Sequence, residues 1–354
     1  MHVSKWKKLG VAAAAFVGAL VLLGLSGYSY FQGFDLSAQA KADPDSRPSD
    51  LDFMQEGVRE SRGRILAVVT STPKIGHSDK PAGFELTELA RAYYVFMANG
   101  YEVVIASPRG GKPPVQIDDG LVAADYAFLN DPIAGRKIEH TLPLEQVEPS
   151  DYAAVYFVGG KGAMFDFADD PHVQRIVRSI YEAGGVVGAV CHGPAALLNV
   201  RLTDGRRLIE GRRVTGFTNE EELFLIEEAP QLFPYLLQEQ LIEHGAQFVA
   251  GPMYLDNTIV DGHLITGQNP WSTWTIAEAM ITALGHEPVP RDRTAEETGV
   301  QLLGVYYRHG PSAARRSRED SPQLDRGLVL MHAVVAGMQG RWRDAYHMQR
   351  LARP

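Results

Sequence analysis

The run Val186-Val187-Gly188-Ala189-Val190-Cys191-His192-Gly193-Pro194-Ala195-Ala196 decides the reading of this chain. Five apolar residues bounded by glycine read as a buried strand, and the small residues after Cys191 read as a tight turn opening a helix. A strand that delivers a nucleophile into such a turn holds its side chain up at the strand's end. A helix N-terminus behind a cysteine favours the thiolate. A lone cysteine is more often a small core residue, but glycine-rich turns on both sides suit close backbone approach better than core packing. Cys191 is the only cysteine among 354 residues, which excludes an intrachain disulfide and a multi-cysteine zinc site.

Outward from this run, strand and helix patterns alternate. Arg64–Thr70, Tyr101–Ser107 and Ala153–Val158 are short β-branched or apolar runs, the last ending in Gly159-Gly160. Glu85–Asn99 has helical spacing and stops at Gly100, and Pro171–Ala183 is a second helix. Thr258–Thr266 reads as a hairpin turning at Asp261-Gly262, and Trp271–Leu284 as a closing helix. The order predicts an α/β fold with a doubly wound, mostly parallel sheet, flanking helices, and ligands at the strands' carboxyl ends. A hydrophobic share of 45% and a charged share of 22% exclude wholesale disorder.

The two ends read differently. Lys5, Lys7 and Lys8 precede Leu9–Phe34, which holds no charged residue and reaches the roughly 20 residues a bilayer span needs. Residues 1–34 are therefore expected to be a transmembrane signal anchor with a cytoplasmic N-terminus. That places the catalytic domain on the periplasmic side of a bacterial inner membrane. The alternative is secretion after cleavage of a signal peptide at Ala38-Gln39-Ala40. Residues 35–60 read as a flexible tether, 61–288 as the α/β catalytic domain and 289–354 as a helical, arginine-rich extension. Residues 291–354 contain eleven Arg, no Lys and seven acids, a net +4 in a chain of net charge −9. Leu328–Leu351 has helical apolar spacing. It is expected to pack on the domain or on a second subunit, with a homodimer as the assembly that would result, or to lie as a basic amphipathic helix on the membrane.

Chemistry converges on the cysteine. His192 is placed to act as general base or acid if a carboxylate orients its second nitrogen; a solvated turn histidine is the bland alternative. Gly159-Gly160-Lys161-Gly162 ends a strand opposite Cys191, where glycines let backbone N–H groups face a bound oxygen. Asp118-Asp119, Asp125 and the group Asp166, Asp169 and Asp170 lie among turn residues with no His or Cys at ligand spacing, so no metal is expected. His286-Glu287 lies in a Gly/Pro-rich exit segment and reads as linker. No phosphate-binding loop appears, and the acidic catalytic region argues against nucleic acid.

The segment Ala189–Ala195 resembles the nucleophile segment of the PfpI/ThiJ superfamily, whose fold is flavodoxin-like and glutamine-amidotransferase-like (class I). The resemblance continues through Leu208–Gly211, Val214-Thr215-Gly216-Phe217-Thr218 and Leu264–Pro270, and is nearest the branch of glyoxalase III and heat-shock-type chaperones. It implies Cys191 as nucleophile, His192 as its base and Glu222 as the carboxylate that orients the histidine, with Glu220 and Glu221 as rivals. Glu88 matches the glutamate facing the thiol, with Glu85 one turn earlier as the alternative. Gly160 and the His192 amide would form an oxyanion hole, with Gly193 and Lys161 beside the substrate. That branch usually has histidine where this chain has Lys161. The implied reaction is cofactor-free and metal-free conversion of methylglyoxal or a related 2-oxoaldehyde to a 2-hydroxy acid without glutathione. Peptidase, amidase or deglycase chemistry, and a non-enzymatic stress chaperone or thiol redox sensor, are the alternatives that the resemblance leaves.

Overall fold

The computed structural model describes residues 30, 32–39, 41–118, 120–320 and 323–354. They form two compact units, one of described residues within 41–292 and one combining residues 30 and 32–39 with the described residues of 293–354.

The larger unit is built on a seven-stranded sheet. Its strands are β1 (Arg64–Val68), β2 (Glu102–Ser107), β3 (Leu142–Pro143), β4 (Ala154–Phe157), β5 (Val186–Val190), β6 (Thr258–Asp261) and β7 (Leu264–Gly267). Their order is β6-β7-β5-β4-β1-β2-β3, and every pair is parallel except the β6–β7 hairpin. β4 and β5 are buried along their whole length, which explains why they are apolar throughout rather than alternating. Val68 pairs with Phe157 and Phe157 with Ala189, so β1, β4 and β5 end side by side. Val190 pairs with Gly267, which brings the end of β7 to the same place.

Helices cover both faces. α1 (Leu86–Ala98) is buried at every position except Met97, which accounts for its nearly all-apolar sequence. Its one arginine, Arg91, is buried and paired with buried Asp125 at 3.1 Å. α2 (Pro171–Glu182) buries Val173, Ile176, Val177 and Ile180, and Asp170 caps it by accepting from the His172 and Val173 amides. α3 (Asn219–Leu225) begins at a capping box between Thr218 and Glu221. α4 (Thr273–Ala283) lies over β5, where a side chain at Gly188 would overlap the Met280 sulfur.

The catalytic unit is longer than 61–288. Residues 41–60, expected as a tether, are bound into it by 3-10 turns, a short helix at Asp52–Gln55 and a buried Leu51. Asn130 Nδ2 donates to the Pro44 and Ser46 carbonyls, and the Val58 amide donates to the Ala98 carbonyl. A polar, proline-rich composition suggests a linker, but its backbone is held by partners distant in the chain. At the other end the Val289 amide donates to Asn99 Oδ1, and the Arg291 guanidinium lies 4.0 Å from the Trp274 ring centroid.

In the second unit the extension is three helices. α5 (Ala295–Glu319) is broken at Gly310, whose φ of 79° lies in the left-handed region ahead of Pro311. The run expected as one helix over Leu328–Leu351 is two, α6 (Arg326–Met338) and α7 (Trp342–Leu351), because Gly340 turns the chain with φ 73°. Residues 32–39, assigned from the sequence to anchor and tether, belong with these helices. Phe34 is buried, Arg326 Nη1 donates to the Phe34 and Asp35 carbonyls, and Gln39 Nε2 donates to the Leu324 carbonyl. The expected anchor itself lies almost wholly outside the described residues. Among the described residues no helix is long and apolar enough to cross a membrane.

Candidate active site

Cys191 leaves β5 with φ 58°, a left-handed conformation that costs an L-residue about 1 kcal/mol. Two hydrogen bonds hold it there: the Cys191 amide donates to the Gly267 carbonyl at 2.9 Å, and the Phe217 amide donates to the Cys191 carbonyl at 2.8 Å. The same turn sets Sγ 3.3 Å from His192 Nδ1, although the two residues are adjacent in sequence.

His192 Nε2 lies 2.6 Å from Glu222 Oε2. A carboxylate on Nε2 keeps the proton on that nitrogen and leaves Nδ1 as the acceptor facing the thiol. The ring lies between Phe217, with centroids 4.6 Å apart, and Phe233, nearly parallel at 6.2 Å. The three acidic neighbours thus separate by geometry. Glu220 is exposed, Glu222 meets the histidine, and Glu221 braces the helix. Glu221 Oε2 accepts from the Thr218 amide and hydroxyl, while Oε1 accepts from the Tyr254 amide and Asn269 Nδ2.

Glu88, fully buried in the first turn of α1, accepts the Gly159 amide on Oε2 at 2.7 Å and hydrogen-bonds the Cys191 thiol. Glu85 is directed elsewhere, accepting from the Thr87 hydroxyl and the Asp118 amide. With Gly159 fixed, the Gly160 N–H points at the sulfur. Gly160 has φ 95°, and a side chain there would strike the Gly83–Phe84 backbone. Gly193 has a packing duty, because its Cα faces the Phe157 carbonyl too closely for any Cβ.

Burial pushes the Cys191 thiol well above its ordinary range. The Glu88 charge adds to this, the Gly160 N–H opposes it, and the Glu88 hydrogen bond and Glu221 charge raise it further. The sequence suggested a thiolate favoured by a helix just after the turn. The residues there form a single 3-10 turn, Gly193–Leu197, too short to build a useful macrodipole.

Lys161 is tied to the Asp118 carboxylate. Burial alone would lower its ammonium, but the Asp118 hydrogen bond and charge, followed by Cys191 and Glu222, raise it on balance. The ammonium is thus engaged at the rim of the site rather than loose in solvent. Asp118 and the two flanking phenylalanines were not singled out as site residues from the sequence. Phe217 lay within the Val214–Thr218 motif, whereas nothing local marked Phe233 or the Asp118 partnership. Among the described residues no group of three His, Cys, Asp or Glu could hold a metal ion.

The parallel α/β sheet thus presents a buried, hydrogen-bonded Cys191–His192–Glu222 chain at its strand ends, an arrangement suited to cysteine-based chemistry. The profile of the DJ-1/PfpI family matches residues 81–283, more than half of the chain, and the protein belongs to that family. It is 32% identical over 233 residues to glyoxalase 3 of Candida albicans, covering 62% of this chain and 98% of that one. It is 33% identical over 239 residues to the glutathione-independent glyoxalase HSP31 of Saccharomyces cerevisiae, covering 62% and 98%. Among solved structures, glyoxalase III of C. albicans superposes with a TM-score of 0.56 at 29% identity, covering 62% of this chain and 97% of that one. The 24 kDa rapid encystment protein of Francisella tularensis gives 0.60 at 32% identity, covering 63% and 99%.

Proposed function

We propose that this protein is a glutathione-independent glyoxalase that converts methylglyoxal or a related 2-oxoaldehyde to the 2-hydroxy acid. The relatives named glyoxalases support this, but the observation that carries it is the closed chain Cys191 Sγ–His192 Nδ1 and His192 Nε2–Glu222 beside Glu88. Sulfur adds to the aldehyde carbon while His192 Nδ1 takes the thiol proton and passes it to the new hemithioacetal oxygen. The developing oxygen charge meets the Gly160 N–H and the His192 amide. His192 then removes the proton on the former aldehyde carbon, giving an enediolate, and returns it to the neighbouring carbon, while the hemithioacetal hydroxyl proton passes to the oxygen on that carbon. The product is a thioester of the 2-hydroxy acid, which water cleaves to the acid and free Cys191. The sequence is an internal redox exchange within the substrate, so atoms and electrons balance with water as sole co-reactant.

Cys191 is only 4% exposed, which favours a small aldehyde over the extended polypeptide that the peptidase alternative requires. The test is incubation of the purified chain with methylglyoxal, without glutathione, following lactate. No lactate from protein whose Cys191 titrates as reduced rejects the reading.

We further propose that the uncharged run Leu9–Ser29, within the expected anchor of residues 1–34, holds the chain in a membrane with the catalytic domain outside the cytoplasm. Tyr30 and Phe34 support an uncleaved segment. The Tyr30 hydroxyl donates to Gln349 Oε1 at 2.5 Å, and Arg353 stacks over both rings, contacts that cleavage at Ala38–Ala40 would remove. Intact mass of the membrane fraction distinguishes anchor from signal peptide.

A further inference from the structure

The outer face of the α6–α7 hairpin is unusually apolar. Val334 and Met338, one turn apart on α6, are 60% and 71% exposed, and Trp342 and Tyr346, one turn apart on α7, are 73% and 55% exposed. Together they line a shallow groove of about 420 Å³ that ends at Gln349. Arg343 and Arg350 are exposed on the same side of α7, with Arg350 lying over the Tyr346 ring. The one acid of α7, Asp344, is turned inward to the Tyr306 hydroxyl and Arg341. A soluble monomer rarely exposes four large apolar side chains together.

Position identifies the occupant. Gln349, at the groove's end, accepts the hydroxyl of Tyr30, and Tyr30 directly follows the uncharged run Leu9–Ser29. That run has no charged residue and no polar stripe, so a groove between two helices would cover one side of it, whereas a bilayer covers all sides. We infer that the outer face of the α6–α7 hairpin docks on the bilayer surface at the point where the anchor emerges. Met338 and Val334 enter the acyl boundary, Trp342 and Tyr346 sit at headgroup level, and Arg343 and Arg350 meet anionic lipid headgroups. This inference rests on the anchoring reading above, not on the glyoxalase reading.

The test uses the full chain reconstituted in vesicles of phosphatidylcholine with or without phosphatidylglycerol. Cys191→Ser removes the native thiol, and an environment-sensitive probe is placed at Met338→Cys or, as a control on the catalytic unit, at Ile133→Cys. With lipids doxyl-labelled near the headgroup, the probe at 338 is expected to lose more than half its emission and the control almost none. Arg343→Gln with Arg350→Gln is expected to halve that quenching, and only in vesicles containing phosphatidylglycerol. A chain that resists carbonate extraction while its probe at 338 stays unquenched overturns the docking surface alone. A probe shielded from aqueous iodide yet unquenched by lipid overturns it in favour of a second copy of this chain. Release by carbonate overturns the anchoring, and this inference with it.

Discussion

The reactive centre depends on a few atoms whose surroundings set their proton affinities. Because Glu222 holds the His192 proton on Nε2, Glu222→Gln keeps the hydrogen bond but removes the charge that stabilises imidazolium. We expect kcat for methylglyoxal to fall about 10²- to 10⁴-fold with little change in KM, as loss of a general-base partner does. Cys191→Ser should leave no lactate formation above the solution rate. The Cys191 thiol is held above its ordinary range, first by burial and then by Glu88. Alkylation by iodoacetamide should therefore rise only at pH above that of a free thiol. Glu88→Gln removes a like charge, so its profile should move to lower pH. An unchanged or upward-moving profile would show that Glu88 does not set the thiol's proton affinity.

Elements meet at the site through loops pinned to one another. Asp166, in the helical turn Ala163–Asp166 after β4, accepts from the Thr70 hydroxyl and Ser71 amide at the end of β1. Burial raises its carboxyl to about 6, against the opposing pull of those hydrogen bonds and of Arg109. A carboxyl whose folded value lies above its unfolded one stabilises the fold at low pH and loses that contribution as pH rises from about 4 through about 6. The wild type should lose about 3 kcal/mol more unfolding free energy than Asp166→Asn between those limits, measured by urea titration. Parallel pH profiles would contradict the assignment. At this scale local pattern was most legible. β5 spans Val186–Val190 as the apolar run suggested, and α1 and α2 lie within a residue or two of their capping and stop signals. The helix expected across Leu328–Leu351 split because a glycine that helical spacing tolerates, Gly340, instead adopts a left-handed turn.

In the molecule as a whole, the second unit joins stretches nearly 300 residues apart. Phe34 is buried in it and Arg326 reads its backbone. Phe34→Ala is expected to destabilise that unit by about 3 kcal/mol, seen as faster amide exchange in α6 and α7, while lactate formation persists. Unchanged exchange would remove residues 32–39 from the unit's core.

The amino-acid sequence alone determined the alternation of strands and helices, the turn that lifts Cys191, and the histidine beside it. These arise from periodicity, caps and glycines acting over a few residues. Only the tertiary structure decided that Glu222, rather than Glu220 or Glu221, meets His192, because three consecutive helical residues point in three directions and packing chooses among them. It also decided that burial and Glu88 hold the thiol above its ordinary range, that Asp118 holds Lys161, and that residues 41–60 belong to the catalytic unit. Each of these depends on the surroundings of a single polar group or on partners distant in sequence, and neither is recorded in local apolar periodicity.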